Sequence, residues 1–259
     1  MTTAGAPQDD QEDPMPAPGR AVGAALLGTG AAPVGGLLAL LLLADLVLIG
    51  LHLSLKIFGE PSGYTFDLGV DRGYGELVQY LKSLWAGALA ALLAVRRRAA
   101  VLAAWALVCG YLLADDWFQL HERFGAAFAA RVPSLGTLAN DVGELVWTGG
   151  VGLVLLTVVA LTHVRAAARD RAVSAVLVVL FGVLVLLGIV LDAVHHTILD
   201  VPALDVPLTT LEDGGELVAL SVIVTFLFAV AFTAHEPVLG RRLSFLARGR
   251  ADHAVRTAP

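Results

Sequence analysis

The chain is poor in cysteine, lysine and charge. Its single cysteine in 259 residues, Cys109, lies in an apolar stretch, so it can form no intramolecular disulfide and belongs to no thiolate cluster for zinc or an iron–sulfur centre. Asp, Glu, Lys and Arg together make up 15% of the chain, where an average soluble domain carries about 25%. The formal net charge of −6 offers nucleic acid no general attraction, and nucleic acid is excluded as a partner. Lys56 and Lys82 are the only lysines. The other basic residues are arginines, a bias that, with the abundance of Ala and Gly, is typical of GC-rich bacterial genomes. No Gly-rich loop precedes a Lys-Ser or Lys-Thr, which excludes nucleotide-driven pumping. A Gly-x-Ser-x-Gly elbow and a His-Glu-x-x-His zinc helix are also missing.

What is abundant is apolar surface: 57% of the residues are hydrophobic and the mean hydropathy is +0.78. This composition describes a membrane protein. Apolar segments fall at 34–57, 75–95, 99–122, 142–164, 172–198 and 214–235, each near the ~20 residues that cross a bilayer as a helix. The expected fold is therefore all-α and polytopic, with six transmembrane helices arranged as three pseudo-repeated hairpins in a domain spanning 33–236. Residues 1–32 read as a disordered acidic, Pro-rich tail, and 237–259 as a basic tail. The first tail is acidic where a cleavable signal would be basic, so the first apolar segment is expected to stay in the mature protein. Arg96 to Arg98, then Arg165, Arg169 and Arg171, and five arginines after 240 lie on one side of the bundle. By the positive-inside rule that side is cytoplasmic, which puts both termini inside and the chain in a bacterial inner (plasma) membrane.

Each even helix is expected to open on the same tetrapeptide: Gly75-Glu76-Leu77-Val78, Gly143-Glu144-Leu145-Val146 and Gly215-Glu216-Leu217-Val218. The recurrence reads as a hairpin repeated in parallel orientation. In outline this resembles the mitochondrial carriers, but the proline-acid-x-x-basic signatures of that family are missing from the odd helices. An acid in a first turn also complements the helix dipole by about 0.3–1 kcal/mol, so the repeated Glu has a structural explanation as well.

The densest polar signal closes the third segment, Asp115-Asp116-Trp117-Phe118-Gln119-Leu120-His121-Glu122. On a regular helix Asp115, Gln119 and Glu122 share a face about 60° wide, while His121 lies about 120° away and needs a separate partner unless the helix end frays. Arg123 or Arg131 is the expected partner for one of the two adjacent aspartates. The fifth segment ends with Asp192, His195 and His196 on one face, the histidines about 60° and 40° to either side of the acid. Two imidazoles and a carboxylate make a ligand set for zinc, iron or manganese, with Glu144 and Glu216 as further ligands or bases. Asp116 and His121 are the candidate catalytic proton-transfer pair. Asp115, Gln119, Glu122, Glu76, Lys82 and Asp213 complete the lining of one expected outward-facing chamber.

The first hairpin differs, with Asp45 near mid-membrane, His52 and Lys56 in one helix and Glu76, Gln79 and Lys82 in the next. A lysine inside the membrane costs several kcal/mol unless paired, so Asp45, Glu76 or an acid of another hairpin should neutralise Lys82. Tyr74, Tyr80 and Trp85 read as interfacial anchors, and Gly149, Gly150 and Gly152 as points of close helix approach. Three functional classes follow. The first is a membrane protein with a divalent metal at an outward-facing Asp/Glu/His site, acting by hydrolysis or redox chemistry on a lipid-soluble substrate. The second is a cation or proton transporter or channel using the same acids, with Asp45 and Lys82 deeper along its path. The third is a structural protein whose polar network only holds helices together.

Overall fold

The computed structural model describes residues 32–191 and 202–232. These are 90% helical, with no strand among the described residues. The helices are α1 (Ala32–Phe58), α2 (Tyr74–Arg97), α3 (Ala100–Phe118), α4 (Leu120–Arg131), α5 (Ala139–Arg165), α6 (Ala168–Val185) and α7 (Pro202–Phe232). Short 3-10 turns occupy Tyr64–Phe66 and Pro133–Leu138, and a π-helical turn, Leu186–Leu191, continues α6. All but the short α4 are long and apolar enough to cross a membrane, alone or with the turns that continue them, and the chain is a multi-pass helical membrane protein. The tails at 1–31 and 233–259, and with them nearly all of both expected terminal regions, lie outside the described residues.

Helix ends follow local chemistry. The carboxyl end of α2 carries Arg96 and Arg97, which complement the dipole there, and Arg98 closes the helix in the left-handed region at φ 50°, its N–H donating to the Ala94 carbonyl. Arg97 donates to Asp170 in the first turn of α6 (3.2 Å) and to the Val230 carbonyl of α7 (3.2 Å), tying three helices together at the arginine-rich end.

α7 is the hub of the bundle. It packs against α1, α2 and α6, while α2 also packs against α3, and α5 against α4 and α3. The core at their junction contains Trp105, Phe181, Leu177, Ile223 and Leu227. α7 is the most enclosed of the spanning helices and α5 the least. The first hairpin of the sequence does not pack within itself, because α1 takes α7 as its main neighbour and α2 takes α3 and α7, whereas α3 with α5 and α6 with α7 do meet.

Three local expectations are corrected. The third segment does not run on as one helix to residue 122: α3 stops at Phe118 and α4 starts afresh at Leu120. The last helix starts at Pro202, so Glu216 lies well inside α7, and of the three repeated glutamates Glu76 alone sits in a first turn. Gly149, Gly150 and Gly152 face open space, whereas the close approach occurs at Gly143, where an added Cβ would meet the Cα of Gly125 in α4 at 2.8 Å.

Candidate functional site

The site begins with the break after α3. Gln119 adopts φ 50° and ψ 50°, and its N–H caps α3 on the carbonyls of Asp115 and Asp116. The chain turns there, and His121 comes back over the end of α3. Its Nδ1 donates to Asp115 Oδ2 at 3.0 Å, while Trp147 Nε1 of α5 donates to Asp115 Oδ1 at 3.1 Å. The close Gly125–Gly143 contact between α4 and α5 positions that tryptophan. The Asp115 carboxylate is therefore buried, with both oxygens engaged. With Nδ1 committed to Asp115, the Nε2 of His121 is directed elsewhere, 4.0 Å from Glu122 Oε1.

Asp116 is half-buried beside this pair, and its backbone carbonyl accepts from the Tyr80 hydroxyl at 3.4 Å. Tyr80 is itself buried, so it is a packing residue of α2 and not an interfacial anchor. Ligand-capable atoms of Asp115, Asp116 and His121 all lie within 4.8 Å of one another. The hydrogen bond that His121 donates to Asp115, opposed by burial and aided by the charges of Asp115, Glu144 and Glu122, raises the His121 pKa to about 9. The imidazole is accordingly a cation at neutral pH. Burial and the nearby charge of Asp71 push the Glu122 carboxyl above its usual range.

The other sequence candidates divide into two groups. Around the outer cluster, Glu144 accepts from Asn140 Nδ2 at 2.6 Å and packs its stem on Gly125. Gln119 donates to both oxygens of Glu122 (3.0 and 3.1 Å) and to Asp71 (3.3 Å), so it braces the turn. Glu76 accepts the Arg72 backbone N–H. Neither expected arginine reaches the aspartate pair: Arg131 donates to the Ala127 carbonyl of its own helix, and Asp115 takes His121 and Trp147 instead.

The second group lies in the interface of α1, α2 and α7. Glu216 packs against Gly188 of the π turn and accepts from Gln79 Nε2 at 3.2 Å, and the backbone carbonyl of Asp213 accepts from the same amide at 3.4 Å. Lys82 pairs with Asp45. Among the described residues the candidates thus make contacts in two sets, one at the end of α3 and one among α1, α2 and α7. Asp192, His195 and His196 lie outside the described residues.

Sequence reading missed Trp147. Its signal was present, since Asn140, Glu144 and Trp147 recur on one face of a helix at spacings of four and three. Ser221 was also missed as a partner of Asp45 in the interior region.

A family model described as "Domain of unknown function (DUF8692)" matches residues 21–230. The chain belongs to this family. The DUF8692 match includes the Asp115–Asp116–His121 group, Trp147 and the Asp45–Lys82 pair, so both polar regions are within the family domain. No curated protein and no solved structure matches the chain.

Proposed function

We propose that this DUF8692 member binds a divalent cation at the end of α3, which displaces the Nε2 proton of His121 and takes that nitrogen and the Asp116 carboxylate as ligands while Asp115 holds the imidazole through Nδ1. The observation that carries this reading is the group of one histidine and two carboxylates with donor atoms within 4.8 Å. A carboxylate on the far nitrogen of a histidine fixes its tautomer and raises its basicity as a ligand, the part Asp115 plays toward His121 at 3.0 Å. Glu144 and Glu122 add negative potential at the imidazole and are candidate further oxygen donors. Zinc, iron or manganese suits such a mixed nitrogen and oxygen set. A cation held there would polarise a bound oxygen of substrate or water. The exposed Trp117 and Phe118 at the same helix end favour a lipid-soluble substrate. The arginine-rich loops support a bacterial inner-membrane location with this site outward and both termini cytoplasmic.

Elemental analysis of purified protein after a weak chelator wash tests the reading. Near-stoichiometric metal in wild type and in His195→Ala/His196→Ala, lost in His121→Ala and Asp116→Asn, is the expected result. Loss in the His195/His196 variant alone would return the site to the ligand set read from the sequence. A folded wild type that takes up no zinc, iron or manganese on resupply overturns both.

A further inference from the structure

The interior polar region has a different chemistry. Lys82 is 1% exposed and Asp45 is fully buried. The Lys82 ammonium donates to the Asp45 carboxylate and to the Leu217 carbonyl, the latter at 2.9 Å, and the second oxygen of Asp45 accepts from the Ser221 hydroxyl at 2.6 Å. The cation thus sits against oxygen atoms alone: a carboxylate, a helix carbonyl and, one carboxylate-width away, a hydroxyl. An isolated helix lock does not need this arrangement, because an apolar pair of similar volume fixes helices equally well without desolvating two charges.

Other polar groups lie on the helices that surround the pair. On α7, Asp205, Thr209, Asp213, Leu217, Ser221 and Thr225 recur every four residues, a stripe that winds about 40° around the helix at each step. The Leu217 carbonyl faces Lys82, and the hydroxyls of Ser221 and Thr225 are fully buried. Gln79 bridges α2 to Glu216 and the Asp213 carbonyl. His52 is wholly buried on α1; its Nδ1 lies 3.1 Å from both the Leu68 N–H and Asp67 Oδ1, Asp67 is paired with Lys56 at 2.7 Å, and the His52 Nε2 has no hydrogen-bond partner among the described residues. A buried polar nitrogen without a partner marks a place where a water or ligand belongs. Toward the arginine-rich end, the stripe gives way to buried Phe226, Leu227 and Val230.

We propose that Asp45, the Leu217 carbonyl and Ser221 form a binding site for a small monovalent cation, which exchanges with the Lys82 ammonium that fills it here. Charge selects the valence. With Asp45 ionised and Lys82 neutral, one monovalent cation restores the neutral pocket, whereas a divalent ion leaves a buried positive charge. In the exchange an N–H bond of Lys82 breaks, the proton passes to water, and the amine lone pair remains on Nζ. The cation takes the vacated oxygens, so one cation enters for each proton released. The ionisable groups on the surrounding elements are Asp45, His52 and Lys56 from α1, Asp205, Glu212, Asp213 and Glu216 from α7, and Cys109, Tyr111, Asp115 and Asp116 from α3. Of these, Asp45 alone contacts the ammonium among the described residues. The inference stands independently of the outer metal site, with which it shares no residue.

Two measurements on the purified full chain test it. The first is proton release from wild type in weakly buffered solution on adding NaCl or KCl, with choline chloride at equal ionic strength as the control. Release specific to the alkali cation is expected, and its absence overturns the exchange. The second is the melting temperature of Lys82→Met in the same salts. This variant should be stabilised by sodium or potassium over choline without releasing protons, and Asp45→Asn/Lys82→Met should show neither response. A folded Lys82→Met with no alkali-specific shift overturns the site. If Lys82→Met does not fold in choline, recovery of folding in sodium or potassium supports the site, and no recovery together with no wild-type proton release overturns it.

Discussion

The two polar regions pair a carboxylate with a cationic side chain in opposite ways. Asp115 and His121 are six residues apart and meet because the chain turns at Gln119. Asp45, Lys82 and Ser221 come from three separate helices and meet because α7 lies between α1 and α2. The His121 side chain is 29% exposed and that of Lys82 is 1% exposed. Water therefore reaches the outer pair and screens it, while the inner pair depends wholly on its protein partners. A break in one helix suffices to bring a histidine back onto a carboxylate of the preceding helix end. A charge inside the bilayer requires a complete shell from several helices.

The sharpest way to break this contrast is to unpair the inner charges. Asp45→Ala leaves the Lys82 ammonium buried against one carbonyl, and denaturation in detergent should show a loss of about 3–5 kcal/mol. Alkali salts should not rescue it, because the carboxylate that binds them is gone. Asp45→Leu/Lys82→Met should recover most of that loss. Equal damage from the single and the double substitution would show that packing volume, not charge, holds the three helices together.

The outer pair should instead respond to pH. The His121 pKa rises from 6.5 when unfolded to about 9 when folded, so its contribution is fully present below 6.5 and is lost as pH rises through 9. In chelator-treated protein the melting temperature should fall across that window, and in His121→Gln the fall should flatten. A wild-type profile that is level from pH 6 to 10 would refute the ion pair. Smaller still is Trp147→Phe, which keeps the ring packing but removes the indole donor to Asp115. It should cost about 1.5–3 kcal/mol if the acceptor is ionised, and nearer 1 kcal/mol if it is not. The smallest effect concerns the turn itself. Gln119→Gly and Gln119→Ala lose the same side-chain bonds, but glycine adopts φ 50° freely, so the Gly variant should be about 1 kcal/mol more stable by chemical denaturation.

Much of this was legible in the residues. The six apolar segments match the spanning helices, and Asp115, Asp116 and His121 stood out as the densest polar cluster in an apolar chain. The demand that Lys82 be paired was also legible, with Asp45 among its stated partners. The break at Gln119 was not, because the left-handed position is filled by glutamine, with no glycine or asparagine to announce it. A regular helix through 122 put His121 on the wrong face and grouped Gln119 with Asp115. The Gly-Glu-Leu-Val pattern likewise suggested a shared helix start, yet α7 begins at Pro202 and carries its copy inside the membrane span.

Spanning length and membrane class were determined by the sequence alone, because burial in hydrocarbon acts on each segment by its own length and polarity. Which charges meet was decided by the tertiary structure. Asp45 reaches Lys82 and Ser221 only through the insertion of α7 between α1 and α2, and His121 reaches Asp115 only through a backbone turn that α5 holds in place with Trp147. Electrostatic pairing falls off over a few ångströms, so it depends on distances that no linear pattern of residues contains.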